Sequence, residues 1–230
     1  MPRTKVVLYC EEDGSCPFLE WIERLPVKAQ AKCLLRVERL RELGHELRRP
    51  EADLLREGIY ELRARLQGVH YRILYFFHGA IAAVVAHGIV KVGAVPPKEI
   101  GRAIERKKRF EANPGEASPR GEFEMTRKTE TTTDAVEILH RRLFEGKPER
   151  LKILEEARAN EEIARKIFGL RTKAGLTQTQ LGKLVGTTAS AICRLEDADY
   201  EGHSLAMLRR IAAALNQRVE IRFVPIRRSA

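Results

Sequence analysis

The sequence predicts two folds in one chain. Residues 1–112 read as an α+β domain in the order β-α-α-β-β-β-α with an antiparallel sheet, and residues 134–230 as an all-α helix-turn-helix domain with a short C-terminal strand. Three observations carry this. Residues 58–87 hold three strand-like runs separated by turn signals, the first alternating with a period of two. Residues 176–196, LTQTQLGKLVGTTASAICRLE, read as a helix, a tight turn and a second helix. Between the halves, residues 113–133, NPGEASPRGEFEMTRKTETTT, are rich in Pro, Gly, Ser, Thr and charge and almost devoid of core formers, the composition of a linker. A chain of 230 residues is long enough for one large or two small domains.

In the first half, KVVLY at 5–9 is a strand and EEDGS a turn. Pro17 opens a short helix, FLEWIERL, with Trp21 and Leu25 on its apolar side; proline at the first helical position sacrifices no hydrogen bond. Pro26 restarts the chain into an amphipathic helix over about 27–43, striped by Ala31, Leu34, Leu35, Val37 and Leu40 and ended by Gly44. Residues 45–57 read as a polar loop. The strand at 58–66 puts Ile59, Glu61, Arg63 and Arg65 on one face and Tyr60, Leu62, Ala64 and Leu66 on the other. Gln67-Gly68 turns the chain into the strand at 69–77, and His78-Gly79 is a hairpin signal before the strand at 81–87. A helix over 97–110 closes the domain with the basic run RKKRF.

In the second half, Asp134 caps a short amphipathic helix, Gly146-Lys147-Pro148 breaks it, and a long helix follows over about 149–172. Thr177 caps the next helix, whose Leu181, Leu184 and Val185 fall on one buried face, with Gly182 permitting a close helix approach and Gly186 ending the helix at positive φ. Thr188 caps the helix after it; Ile192 and Leu195 point inward, leaving Ala189, Ser190, Cys193 and Arg194 outward. A helix over 204–215 carries Leu205, Leu208, Ile211, Ala212 and Leu215 as its core stripe. RVEIRFV at 218–224 alternates like a strand, and a lone strand is unstable, so it pairs with its twin in a homodimer.

Net charge is +10 and the pI about 9.7, which favours a polyanionic partner. No apolar run is long enough for a membrane span and the N-terminal residues are not those of a signal peptide, so a cytoplasmic protein is expected. Cys10, Cys16, Cys33 and Cys193 lack CxxC spacing and read as buried or incidental thiols rather than a zinc site or disulfide set; no metal or cofactor is implied. Residues 58–110 hold ten Lys+Arg against three acids, a phosphate-binding footprint or a solvated basic helix face. A solvated helix does not account for Arg63 and Arg72, mid-strand in adjacent strands, where a guanidinium is costly to bury unless it faces a cleft or partner. Residues 111–170 are net −2, and their helical arm reads equally as an intramolecular neutraliser or as part of the DNA-binding domain's core.

Two resemblances sharpen the reading. LRTKAG, the 176–196 motif and SLAMLRRIAAALN resemble the Xre (Cro/C1-type) helix-turn-helix family over about 170–215. By that resemblance Gln178 contacts phosphate, Thr188 caps the reading helix, and Ala189, Ser190 and Arg194 face bases of operator DNA. YELRARLQGVHYRILYFF, AHGIVK and PPKEIGRAIERKK resemble the HigB branch of the RelE-like toxins, the phage Gp49-like proteins, over about 4–111. The resemblance implies a RelE-like fold, a ribosome-dependent mRNA endonuclease, and Arg63, Arg72, His87 and Lys91 as site residues, with Arg65, Lys98, Arg106, Lys107 and Lys108 as RNA contacts. The second half resembles HigA-type antitoxins, and the order toxin then antitoxin agrees with that pair.

The chemistry agrees with these residue types. Cleaving RNA without metal needs a base for the 2′-OH proton, cations for the phosphorane oxygens and an acid for the leaving 5′-oxygen. Arginines are clamps, so Arg63 and Arg72 hold phosphate, while His87 or Lys91 moves protons; a strand-end histidine satisfied by backbone is the plain alternative for His87. One departure stands out: where relatives are lysine-rich after HGxVK, this chain has KVGAVPP. The expected function is a type II toxin–antitoxin polypeptide in which a DNA-binding, autorepressing antitoxin contacts and neutralises the toxin. The alternatives are a transcriptional regulator whose N-terminal domain is inactive or sensory, and two proteins joined near Met125.

Overall fold

A computed structural model of the chain describes residues 4–79, 82–91, 93–113, 132–197, 200 and 202–222. Most of the expected linker, with Met125, lies outside the described residues, as do Ile81 and Val92. Contacts divide the chain into two compact units, Met1–Glu156 and Ala157–Ala230.

The first unit is built on a five-stranded sheet: β1 (Lys5–Leu8), β2 (Ala52–Arg56), β3 (Ile59–Leu66), β4 (Val69–His78) and β5 (Ala82–Lys91), in the spatial order β1-β5-β4-β3-β2. β2 through β5 form an antiparallel meander, but β1 runs parallel to β5, so the sheet is mixed rather than antiparallel as expected. Alternation and hairpin signals speak only for consecutive strands; two helices and three strands separate β1 from its neighbour β5 in the chain, a connection long enough for parallel pairing. β2 occupies the segment read as a polar loop. Of its residues only Ala52 is fully buried, so an edge strand carrying Asp53 and Arg56 leaves no apolar alternation to read. It joins β3 through Glu57 and Gly58, both at positive φ (51° and 75°).

Helices α1 (Pro17–Glu23) and α2 (Val27–Leu43) cover the sheet face that carries Tyr71 and Gly88, and a 3-10 turn at Gly44–Glu46 follows. Phe18, Leu19 and Ile22 take the buried side of α1, while half-buried Trp21 lies against Gly88, where an added Cβ would collide with the indole. The α2 stripe is buried as its spacing predicts. Helix α3 (Pro97–Ala112) covers the opposite face, packing Ala103, Ile104 and Phe110 on Ile59, Leu74, Phe76, Val84 and Ala86. Val95, from the KVGAVPP segment, belongs to that core.

Helix α4 (Ala135–Leu143) lies in the first unit, against α2 and β1. Asp134 caps it by accepting from the Val136 and Glu137 amides, and its carboxylate also stands 3.5 Å from Arg41 of α2. Ala135, Leu139 and Phe144 are fully buried, and Arg142 pairs with Glu23 of α1. The arm past the linker thus packs on the α1–α2 side, away from the sheet face beneath α3. Helix α5 (Pro148–Lys173) follows.

In the second unit Ile167, Leu181, Val185, Ile192, Leu195 and Ile211 form the core that joins α5 to α6 (Gln178–Leu184), α7 (Ala189–Leu195) and α8 (Leu205–Ala214). Thr177 and Gln180 make a reciprocal capping box, and Thr188 caps α7. A Cβ on Gly182 would stand 3.0–3.2 Å from the backbone of Thr187, Thr188 and Ala189, so a larger residue would push the turn outward. Leu184 and Leu205, expected in the core, are 59% and 38% exposed: Leu184 falls at i+3 beside a seam closed by Leu181 and Val185, and Leu205 is the first residue of its helix, more than a turn ahead of the buried Ile211 and Ala212. Residues 218–222 form no strand, and the rest of the expected strand, Phe223 and Val224, lies outside the described residues. Cys10 and Cys16 form a disulfide, contrary to the expectation of four thiols; the six-residue spacing brings the two together across the turn after β1.

Leu139→Ala should destabilise the first unit by about 2–5 kcal/mol, since it empties a fully buried site. Urea unfolding followed by Trp21 fluorescence, the single tryptophan of the chain, reads this directly. An unchanged midpoint would mean that α4 does not dock there.

Candidate active site

Residues opposite one another in an antiparallel ladder share a face, so the register of β2 to β5 arranges the site in rows. Asp53, Glu61, Leu74 and His87 form one row. Arg63, Arg72 and Ile89 form the next, and Arg65, His70 and Lys91 the third. All lie on the sheet face that α3 covers at its other end. Three of the four residues expected to carry chemistry converge on one carboxylate. Glu61, 2% exposed, accepts from Arg63 Nε at 2.8 Å and stands 3.1 Å from Arg72 Nε and 4.0 Å from Lys91 Nζ. Arg63 also donates to Asp53 at 2.8 Å, and Arg49 binds the same Asp53 oxygen at 2.6 Å.

Burial and charge set the protonation of this group. Burial draws Arg72 below the ordinary guanidinium value; Glu61 opposes and Arg63 adds to the effect. Burial likewise lowers Lys91, with Glu61 restoring part of the shift and Arg72 and Arg63 extending it. Lys91 is therefore a better proton donor than an exposed lysine.

His87 is mid-strand, not at a strand end, and 5% exposed. Its Nε2 lies 3.2 Å from Glu99 Oε2 in the first turn of α3, and its Nδ1 has no hydrogen-bond partner among the described residues. Burial, and then Arg106, push its pKa down to about 4 against the pull of Glu99. It is a neutral imidazole sealed beneath a helix, in the same row as Glu61 but two strand spacings away, roughly 10 Å.

The expected RNA contacts divide. Arg65, Lys98 and Lys108 are exposed. Arg106 is held by Glu11 at 3.0 Å, as is Arg109 at 3.2 Å, and Lys107 donates to the Glu57 carbonyl at 3.1 Å. Three of the four cations in the basic run therefore tie α3 to the loops around the sheet. In the second unit, Ser190 and Arg194 are exposed on α7, Ala189 half-exposed, and Thr188 engaged as the cap. Gln178 donates to Glu196 at 2.9 Å, and Glu196 is gripped by Arg171 at 2.5 and 2.9 Å.

Glu61, Asp53, Glu99 and His70 escaped the sequence reading. Glu61 was visible as the one acid among the cations on its face of the strand. Asp53 was hidden because its strand was, and His70 because its neighbours are set by register alone.

Residues 20–108 match the family described as phage derived protein Gp49-like (DUF891), a family associated with the toxins of toxin–antitoxin systems. The match spans the three rows, β2 to β5, and most of α3. No curated protein matches the chain. No helix among the described residues is long and apolar enough to cross a membrane.

The depressed pKa of His87 makes stability depend on pH in a defined direction. Below about pH 6.5 the unfolded chain takes up a proton that the folded chain refuses until about pH 4, so stability falls as pH drops through that window. His87→Gln should flatten the slope of unfolding free energy between pH 4 and about 6.5. An equal slope in both chains would mean that the imidazole is not buried neutral.

Proposed function

We propose that this chain is a type II toxin–antitoxin polypeptide: an N-terminal mRNA endonuclease neutralised by a C-terminal DNA-binding antitoxin that represses its own operon. The observation that carries the nuclease half is the convergence of Arg63, Arg72 and Lys91 on Glu61. Cations gathered around one buried carboxylate are spaced to receive one anion, and a scissile phosphate is an anion of similar reach. The arginines would hold the non-bridging oxygens as charge builds in the phosphorane, and Lys91 would protonate the 5′-oxygen. The resemblance of the matched segment to RelE-like toxins adds ribosome-bound mRNA as substrate.

The DNA-binding half rests on the outward Ser190, near the start of a capped helix packed against a second, and the outward Arg194, in its last turn. Gln178, anchored by Glu196 and Arg171, would donate to backbone phosphate, and a homodimer through the C-terminal region would set half-site spacing. Neutralisation fits a bulk mechanism better than a plug. Helix α4 packs on the α1–α2 side and leaves the cationic rows open, so the bulk of the second unit, and not α4 itself, would be what hinders docking on a ribosome. A cytoplasmic location follows from those partners. A second reading, a DNA-binding regulator with a retired nuclease domain, is favoured by one observation: Glu61 and Asp53 already hold much of the site's positive charge.

Expression separates the readings. Residues 1–156, which keep α4 with its core, should arrest growth with cleaved mRNA, and Arg63→Ala/Arg72→Ala should abolish the arrest. A soluble but harmless fragment would establish the second reading. Separately, Arg194→Ala should weaken operator binding by about ten- to a hundredfold and random DNA far less, the ~1–3 kcal/mol of a base contact. Equal losses on both DNAs would remove its reading role.

A further inference from the structure

We propose that the general base of the nuclease site is His70, with Lys91 as its partner acid, and that His87 stays outside the chemistry. The inference rests on the nuclease reading and names the residue that reading lacks. His70 lies in register with Arg65 on β3 and Lys91 on β5, on the same face as Arg72, two residues along its own strand. It is half-buried, so substrate can reach it, whereas His87 is sealed under α3.

The rows also supply a line of attack. Lys91 starts in the third row, yet its ammonium stands 4.0 Å from Glu61 in the first, so the side chain crosses the row of Arg63 and Arg72. A phosphate seated on those two arginines has the Lys91 head on one side and the His70 imidazole on the other. In-line displacement needs that placement, because the entering and leaving oxygens lie on opposite sides of phosphorus. His70 takes the proton from the 2′-OH as O2′ bonds to phosphorus; the bond from phosphorus to O5′ breaks, and Lys91 gives O5′ its proton. The products are a 2′,3′-cyclic phosphate and a 5′-hydroxyl, with imidazolium and amine restored by exchange with water. The charged groups on the sheet face of His70 are Arg63, Arg65 and Glu61 from β3, Arg72 on β4 and Lys91 from β5.

The test uses the full-length chain with imidazole-labelled histidines. A short oligonucleotide with every sugar 2′-deoxy lacks the attacking hydroxyl and binds without being cut; it should raise the titration midpoint of His70 and leave His87 unmoved. On mRNA-loaded ribosomes under single turnover, with residues 1–156 released from the neutralising second unit, His70→Gln should slow cleavage about a hundredfold or more and erase the acidic limb of the pH profile. Added imidazole should restore part of the activity of His70→Ala, which a structural role would not permit. His87→Gln should cleave within a few-fold of wild type. A His70 midpoint indifferent to bound RNA, or a His70→Gln chain that cleaves normally, overturns the assignment and leaves the nuclease reading intact. A wild-type chain that does not bind the probe, with wild-type residues 1–156 that do not cleave, overturns both.

Discussion

Glu61 is the group on which the first unit depends. A carboxylate this deeply buried is tolerated only when cations surround it, and cations at the centre of a sheet are tolerated only when an anion holds them. Each side of that bargain requires the other. Removing Glu61 would leave Arg63, Arg72 and Lys91 repelling one another in a partly desolvated site, and removing the cations would strand the carboxylate. The same mutual requirement orients the arginines before any ligand arrives, which is the preorganisation that phosphate chemistry rewards.

The surrounding framework serves that group. Helix α3 seals the apolar end of the same face, where Val95 finishes the core, leaving the rows of Arg63 and Arg72 and of Arg65, His70 and Lys91 beyond it. Strand β2 contributes Asp53, which shares the load on Arg63. Glu11 receives Arg106 and Arg109, beside the disulfide of Cys10 and Cys16, so the basic end of α3 is tied to the loop after β1. The run RKKRF looks like a single nucleic-acid surface in the sequence, but Arg106, Lys107 and Arg109 hold the fold while Lys108 faces solvent.

Helix α4 changes the meaning of the linker. The composition shift at 113–133 is real, yet chain contacts carry the first unit across it to Glu156. A helix with fully buried Ala135, Leu139 and Phe144 belongs energetically to the body it packs on, not to the sequence that follows it. That is why an acidic, amphipathic arm was equally readable as a neutraliser or as part of the second domain: amphipathicity says that a face will be buried, not against what.

By itself the sequence determined the local elements and their capping: the α2 stripe, the meander of β3 to β5, the caps at Asp134, Thr177 and Thr188, and the close turn at Gly182. Each follows from spacing within a few residues. It also placed Arg63 and Arg72 side by side, because consecutive antiparallel strands bring them there. Tertiary structure alone decided the rest. The parallel pairing of β1, the edge strand β2, the burial of His87 under α3 and the convergence on Glu61 all join residues far apart in the chain. The register of His70 between Arg65 and Lys91 is of the same kind. Such contacts carry no periodic signal, because burial and charge pairing act through space.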